Sequence, residues 1–305
     1  MMFRLVLAVL FAWTPMANAA LLWSYSYLGG GVTGSGYLTT SNTQTAGAYA
    51  ITGISGNRGA LPVEFLLAAG TYPASGGGVL LSDNLLYPGS PTLGFGGFTV
   101  RAGTDLYNVY NTAGTYYDLA GADCAATTCG TAGHLGTPVT FSATLVPSLE
   151  WQFSYSGAGV AAGGELLTLA TPVSGHYQIV GLSGTRNGEA MNALFPAGTY
   201  SASGGGTLFS DNFLFASDPF LQYGGFTFHA GSDRYNVYYT AGTYYDLAGA
   251  DCAATTCGTA GHLGTPIRFS LAQVPEPGSL ALLAAAFGML GVGRRCRART
   301  QHSFS

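Results

Sequence analysis

A single internal duplication constrains this chain more than any other feature. Residues 23–147 lie over residues 151–275 at a constant shift of 128 positions without a gap, and 76 of the 125 aligned positions are identical. Trp23 falls on Trp151, Ser82-Asp83-Asn84 on Ser210-Asp211-Asn212, and Tyr107-Asn108-Val109-Tyr110 on Tyr235-Asn236-Val237-Tyr238. The stretch 112–138 recurs unchanged as 240–266. Solenoid repeats recur every 20–50 residues, so a unit this long reads as a domain. The expected organisation is two tandem domains, residues 20–147 and 148–273, joined closely around Val146-Pro147-Ser148.

Within each copy, short aromatic and β-branched runs (22–27, 48–54, 97–101, 106–110, 139–145) are punctuated by Gly, Asn, Asp or Pro. Val139-Thr140-Phe141-Ser142 alternates with period two, the mark of a half-buried strand. The 47 Gly residues oppose helices at about 1 kcal/mol each relative to Ala. Eight or so strands per copy predict an all-β protein of two tandem antiparallel β-sandwich or jelly-roll-like domains. Ser75-Gly76-Gly77-Gly78 and Ser203-Gly204-Gly205-Gly206 read as flexible loops.

Charge narrows the function classes. Charged residues make up 8% of the chain, against about 25% in an average soluble protein. All 10 basic residues are Arg, and there is no Lys. Residues 20–273 hold 5 Arg and 13 acids, a net charge of −8. A nucleic-acid binder needs dense cationic charge, and a cytosolic helical enzyme needs Lys and Glu on its exposed faces. Neither class fits, whereas 48% hydrophobic residues suffice to fill a core.

Both ends read as addresses. Arg4, an apolar stretch over 5–13 and the small-x-small pattern Ala17-Asn18-Ala19 predict a secretory signal peptide over residues 1–19. At the other end, Val274-Pro275-Glu276-Pro277-Gly278 precedes an apolar run over 280–292 and an Arg-rich tail over 294–299 that includes Arg294 and Arg295. As a helix that run spans about 20 Å of a hydrocarbon core about 30 Å thick, so it suits a transient stop rather than a permanent anchor. The Arg cluster holds the tail on the cytoplasmic side.

This tripartite end, residues 274–299, resembles the PEP-CTERM sorting signal of Gram-negative bacteria. The resemblance implies export across the inner membrane and recognition by an exosortase-type membrane protease at Pro275, Glu276 and Pro277, with Arg294 and Arg295 completing the signal. It further implies a cell-surface or extracellular destination and association with extracellular polysaccharide, biofilm or floc. Contact with the membrane is expected only transiently, through the C-terminal segment.

Candidate chemistry is sparse. Cys124 and Cys129, like Cys252 and Cys257, are expected to close small disulfide loops in an oxidising compartment. A zinc site would need more than two Cys and the following His134 or His262, so no metal is expected, and Cys296 should be unpaired. Gly29-x-Gly31-x-x-Gly34 formally matches a dinucleotide fingerprint but opens no helix, so no cofactor is expected. Asp83, Asp105, Asp118 and Asp123, with their counterparts Asp211, Asp233, Asp246 and Asp251, read as turn residues. Paired across a cleft, such acids would instead serve glycoside hydrolysis. Tyr107, Tyr110, Tyr235 and Tyr238 are the candidate sugar-stacking residues, although Tyr107 and Val109 also read as one buried strand face.

No assembled catalytic constellation is legible, and no catalytic residue is named. The sequence therefore predicts a non-enzymatic secreted or surface matrix protein. A carbohydrate-binding module is the alternative, and a polysaccharide-cleaving enzyme is a more distant one.

Overall fold

The computed structural model describes residues 20–125, 129, 130, 135–253, 257 and 263–275. The leader 1–19, the apolar run with its expected helix, and the Arg tail lie outside them, as do Glu276, Pro277, His134, His262 and Cys296.

Copy 1 opens with β1 (Leu21–Gly29), β2 (Val32–Thr45), β3 (Ala48–Arg58) and β4 (Leu61–Leu66). The first two connections are two residues long. Gly30-Gly31 and Ala46-Gly47 take positive φ at both positions, the turn geometry whose twist matches the flanking strands. The chain then makes an excursion through the hairpin β5 (Gly70–Pro73) and β6 (Val79–Ser82) and the short β7 (Leu85–Leu86). It returns through β8 (Phe98–Ala102), β9 (Asp105–Thr112), β10 (Thr115–Ala120) and β11 (Thr137–Val146).

Apart from that excursion, each strand pairs antiparallel with the next. The last strand returns to the first, with Leu28 facing Thr140 and Leu22 facing Val146. Eight strands, β1-β2-β3-β4-β8-β9-β10-β11, thus close into a barrel. The all-β expectation holds, but a closed barrel stands where a sandwich or jelly roll was expected. Period-two alternation is common to all three. Only the pairing of strands from opposite ends of the copy separates them, and no local pattern encodes it.

An eight-stranded barrel is just wide enough for side chains to fill it. Along β1, Trp23, Tyr25 and Tyr27 are buried while Ser24, Ser26 and Leu28 are exposed. The inward rings pack with Phe98, Val109, Val139 and Phe141. The Tyr25 ring meets Phe98 edge-on and stacks on Phe141, and the buried Trp23 indole donates to Thr40 Oγ1 at 3.0 Å. Outward positions on β1 and β11 are mostly Ser and Thr, with Ser26 and Ser142 hydrogen-bonded across the pair. Aromatic inside and polar outside is the reverse of a membrane barrel.

Copy 2 repeats the order as β12 (Ser148–Gly157), β13 (Val160–Leu169), β14 (Tyr177–Arg186), β15 (Glu189–Met191), β16 (Ala193–Leu194), β17 (Gly198–Ser201), β18 (Thr207–Ser210), β19 (Phe213–Leu214), β20 (Phe226–Ala230), β21 (Asp233–Thr240), β22 (Thr243–Ala248) and β23 (Thr265–Gln273). Its ring runs through the same pairings. The equivalent of β4 is broken at Asn192 into β15 and β16.

That break is where the copies join. Asn192 gives its carbonyl to Ile54 N at 3.0 Å and its side-chain amide to Leu66 O at 2.7 Å, and β16 pairs parallel with β3. Leu22, Leu167 and Val180 form a small apolar core at this seam, flanked by Ala20, Tyr37, Val146 and Leu169. Residues Ala20–Val274 accordingly form one compact unit. Among the described residues the only helical pieces are short turns, Gly121–Asp123 and Gly249–Asp251, and no helix is long and apolar enough to cross a membrane.

Candidate functional site

One arginine–aspartate pair lies inside each barrel. Arg58, ending β3, donates through Nε and Nη2 to both carboxylate oxygens of Asp118 at 2.9–3.2 Å. Its guanidinium lies 3.7 Å from the centroid of the Tyr107 ring. Arg186, Asp246 and Tyr235 repeat the arrangement, with contacts of 2.9 Å and 3.6 Å. The two carboxylates are sealed from solvent. Burial, and then the neighbouring Asp118 or Asp246, pushes the Tyr27 and Tyr155 hydroxyls far above the ordinary phenol range. Each cluster closes its charges on itself.

The other repeated acids hold turns. Asp83 Oδ1 accepts from Leu85 N at 3.1 Å, and Asp211 Oδ1 from Phe213 N at 3.0 Å. In the same motif Ser82 Oγ donates to Asn84 Oδ1, and Asn84 Nδ2 to Leu67 O. Asp105 accepts from Ser75 Oγ at 2.6 Å and from Ala122 N at 2.9 Å, and Asp233 does the same with Ser203 and Ala250. Asp123 and Asp251 end the short helical turns. Among the described residues no group of three or more His, Cys, Asp or Glu gathers where a metal ion could be held.

The structure joins Cys124 to Cys129 and Cys252 to Cys257. Both disulfides are buried, packed with the β5–β6 or β17–β18 hairpin against the outer face of the barrel. This packing explains the Gly runs, which are loops but are not free. Gly76 N donates to Gly121 O and Gly78 N to Cys124 O. A Cβ on Gly76 would stand 2.6 Å from Ala122 O, so glycine here permits two backbones to touch.

The four candidate sugar-stacking tyrosines fall into two pairs. Tyr110 and Tyr238 are buried under the hairpin and disulfide layer, with hydroxyls donating to Leu135 O and Leu263 O at 2.7 Å. Tyr107 and Tyr235 are half-buried, each with one ring face covered by arginine. Among the described residues the large exposed aromatic side chains are instead Phe95, Phe209 and Tyr223. Phe209 and Tyr223 stack with centroids 6.5 Å apart. Phe95 and Tyr223 occupy equivalent places just before a Gly-Gly pair, a loop setting that is the sequence signal of their exposure.

A second cluster sits at the seam and exists because the copies differ there. Arg234 Nη2 pairs with Glu64 at 2.6 Å across the two copies, where the equivalent positions hold Leu106 and Asn192. His229, equivalent to Arg101, packs its ring 3.9 Å from that of Phe65. Burial, reinforced by Arg234, pushes its pKa down to about 4, so it is neutral at pH 7. Its Nδ1 has no hydrogen-bond partner among the described residues. Ser201, Ser203, His229, Asp233 and Arg234 line a shallow cavity of about 300 Å³. A further groove of about 260 Å³ runs between the copies, past Tyr37, Asn57, Gln178, Val180, Pro196 and Asn212. The sequence signal for this region was the set of positions at which the two copies differ in charge.

Residues 273–298 match the PEP-CTERM protein-sorting motif, and the match begins on the last residue of β23. The motif implies export, cell-surface sorting and processing by an exosortase. No curated protein and no solved structure matches the chain.

Proposed function

We propose that this chain is a non-enzymatic structural protein of the cell surface or extracellular matrix. An exosortase-type protease delivers it, and it works in association with extracellular polysaccharide. The observation that carries this reading is the direct abutment of a sorting motif on the last strand of the compact sheet body. The use of the repeated acids in turns and buried ion pairs supports it further. So does the barrel closure, since a closed ring presents no free sheet edge to neighbouring chains. A net charge of −8 over residues 20–273 favours solubility beside anionic polymers.

The intact mass of the protein recovered from the culture surface or medium tests the reading. The expected product lacks residues 1–19 and has lost the C-terminal Arg tail. A full-length product retained in the cytosol, both ends in place, would sink it.

The exposed pair Phe209 and Tyr223 favours carbohydrate binding as the second reading, because sugar rings stack on accessible aromatic faces. On a column of the native extracellular polysaccharide, retention that disappears in a Phe209→Ala, Tyr223→Ala double variant would make the protein a lectin. Absence of retention in the wild type would leave the structural role alone.

A further inference from the structure

The first residue after the expected leader is held by a buried acid. Ala20 N donates to Glu150 Oε2 at 2.9 Å, while the Ala20 side chain packs beside Leu22, Leu167 and Val180 at the seam. Glu150 is only 6% exposed, and no arginine pairs with it among the described residues. Its equivalent in copy 1 is Leu22, fully buried in the same small core. The acid therefore appears only in the copy whose position faces the start of β1. Glu165 on β13 is the other ionisable group acting on it, and burial together with Glu165 raises the Glu150 pKa against the opposing Ala20 hydrogen bond. A buried carboxylate with a second acid nearby and no cation is an anionic site waiting for a positive partner.

We infer that Glu150 is the receiving site for the mature N-terminus, and that removal of the leader at Ala19–Ala20 turns a peptide hydrogen bond into a partly buried ammonium–carboxylate pair. Hydrolysis breaks the bond from the Ala19 carbonyl carbon to the Ala20 nitrogen. Water supplies the hydroxyl to that carbon and a proton to the nitrogen, and the new Ala19 carboxylic acid releases its proton, through solvent, to the amine. The resulting α-ammonium occupies the place of the former N–H. Charge-assisted hydrogen bonds of this kind are roughly twice as strong as neutral ones. Processing thus completes the seam between the two copies, and the precursor carries the acid without its counter-charge. The inference rests on the export reading of residues 1–19.

The chain contains no Lys, so the α-amine is the single primary amine of the processed protein, and an amine-acylating reagent reports on it alone. The full precursor is exported and the product recovered as wild type, Glu150→Gln and Glu150→Leu, the last copying Leu22. N-terminal sequencing fixes the first residue, and the acylation rate is followed against pH. A free α-amine titrates at about 7.7–8.0. The expected wild-type midpoint lies at least one unit above that of both variants, with acylation at pH 8 slowed about fivefold. A chain beginning at Ala20 with the same midpoint in all three proteins overturns the pairing and leaves the export reading standing. A first residue other than Ala20 overturns the leader boundary, and the pairing falls with it.

Discussion

Replacing Asp246 with Ala is expected to lower the stability of the sheet body by about 3–5 kcal/mol, the usual cost of removing one member of a buried ion pair. The size of the effect comes from what remains behind. Arg186 is only 11% exposed at its side chain, sits over the Tyr235 ring, and would keep its charge with no acceptor in place of the two carboxylate oxygens. Asp118→Ala should act alike on Arg58 in copy 1. A paired replacement, Arg186→Met with Asp246→Leu, is expected to recover most of the loss, because removing both charges also removes their desolvation cost. Urea unfolding of the three proteins decides it. A single variant within 1 kcal/mol of wild type would mean that solvent reaches the pair and that the interior is not sealed as described.

Tyr238→Ala should be comparably severe, at about 3–5 kcal/mol, as for other buried aromatic truncations. Tyr238 is 1% exposed. Its ring stacks on Tyr245, meets Tyr223 edge-on and packs in the layer that contains the Cys252–Cys257 disulfide. Tyr238→Phe keeps the ring and removes only the hydrogen bond to Leu263 O, so a loss of about 1 kcal/mol is expected. Thermal unfolding of the two variants separates packing from surface chemistry. If Tyr238→Ala melted like the wild type yet lost polysaccharide retention, the residue would be a binding residue and its burial here would be wrong.

These two expectations mark how far the sequence could be read. Alternation along 139–142 and the dense turn glycines identify strands correctly, because burial of one strand face needs only local spacing. Tyr107 and Val109 read as one inward face, and both pack in the barrel core. The same reasoning could not tell that Tyr110, one position on, lies under an external hairpin rather than in solvent. What covers that outward face comes from other segments, the β5–β6 hairpin and the Cys124–Cys129 loop. The acids show the same limit. Asp105 and Asp118 look alike as sequence, yet one caps a turn and the other is locked to Arg58 inside the barrel.

The sequence by itself determined the duplication, the sheet-rich class and the sorting motif, since each is written in spacing or in short contiguous residues. Only the tertiary structure decided that β11 closes on β1, that the copies fuse through Asn192, and that Glu150 waits beside Ala20. Those outcomes depend on which distant backbone groups meet. Small departures between otherwise matching copies, Leu22 against Glu150 and Glu64 against Asn192, acquire meaning only once the two barrels touch.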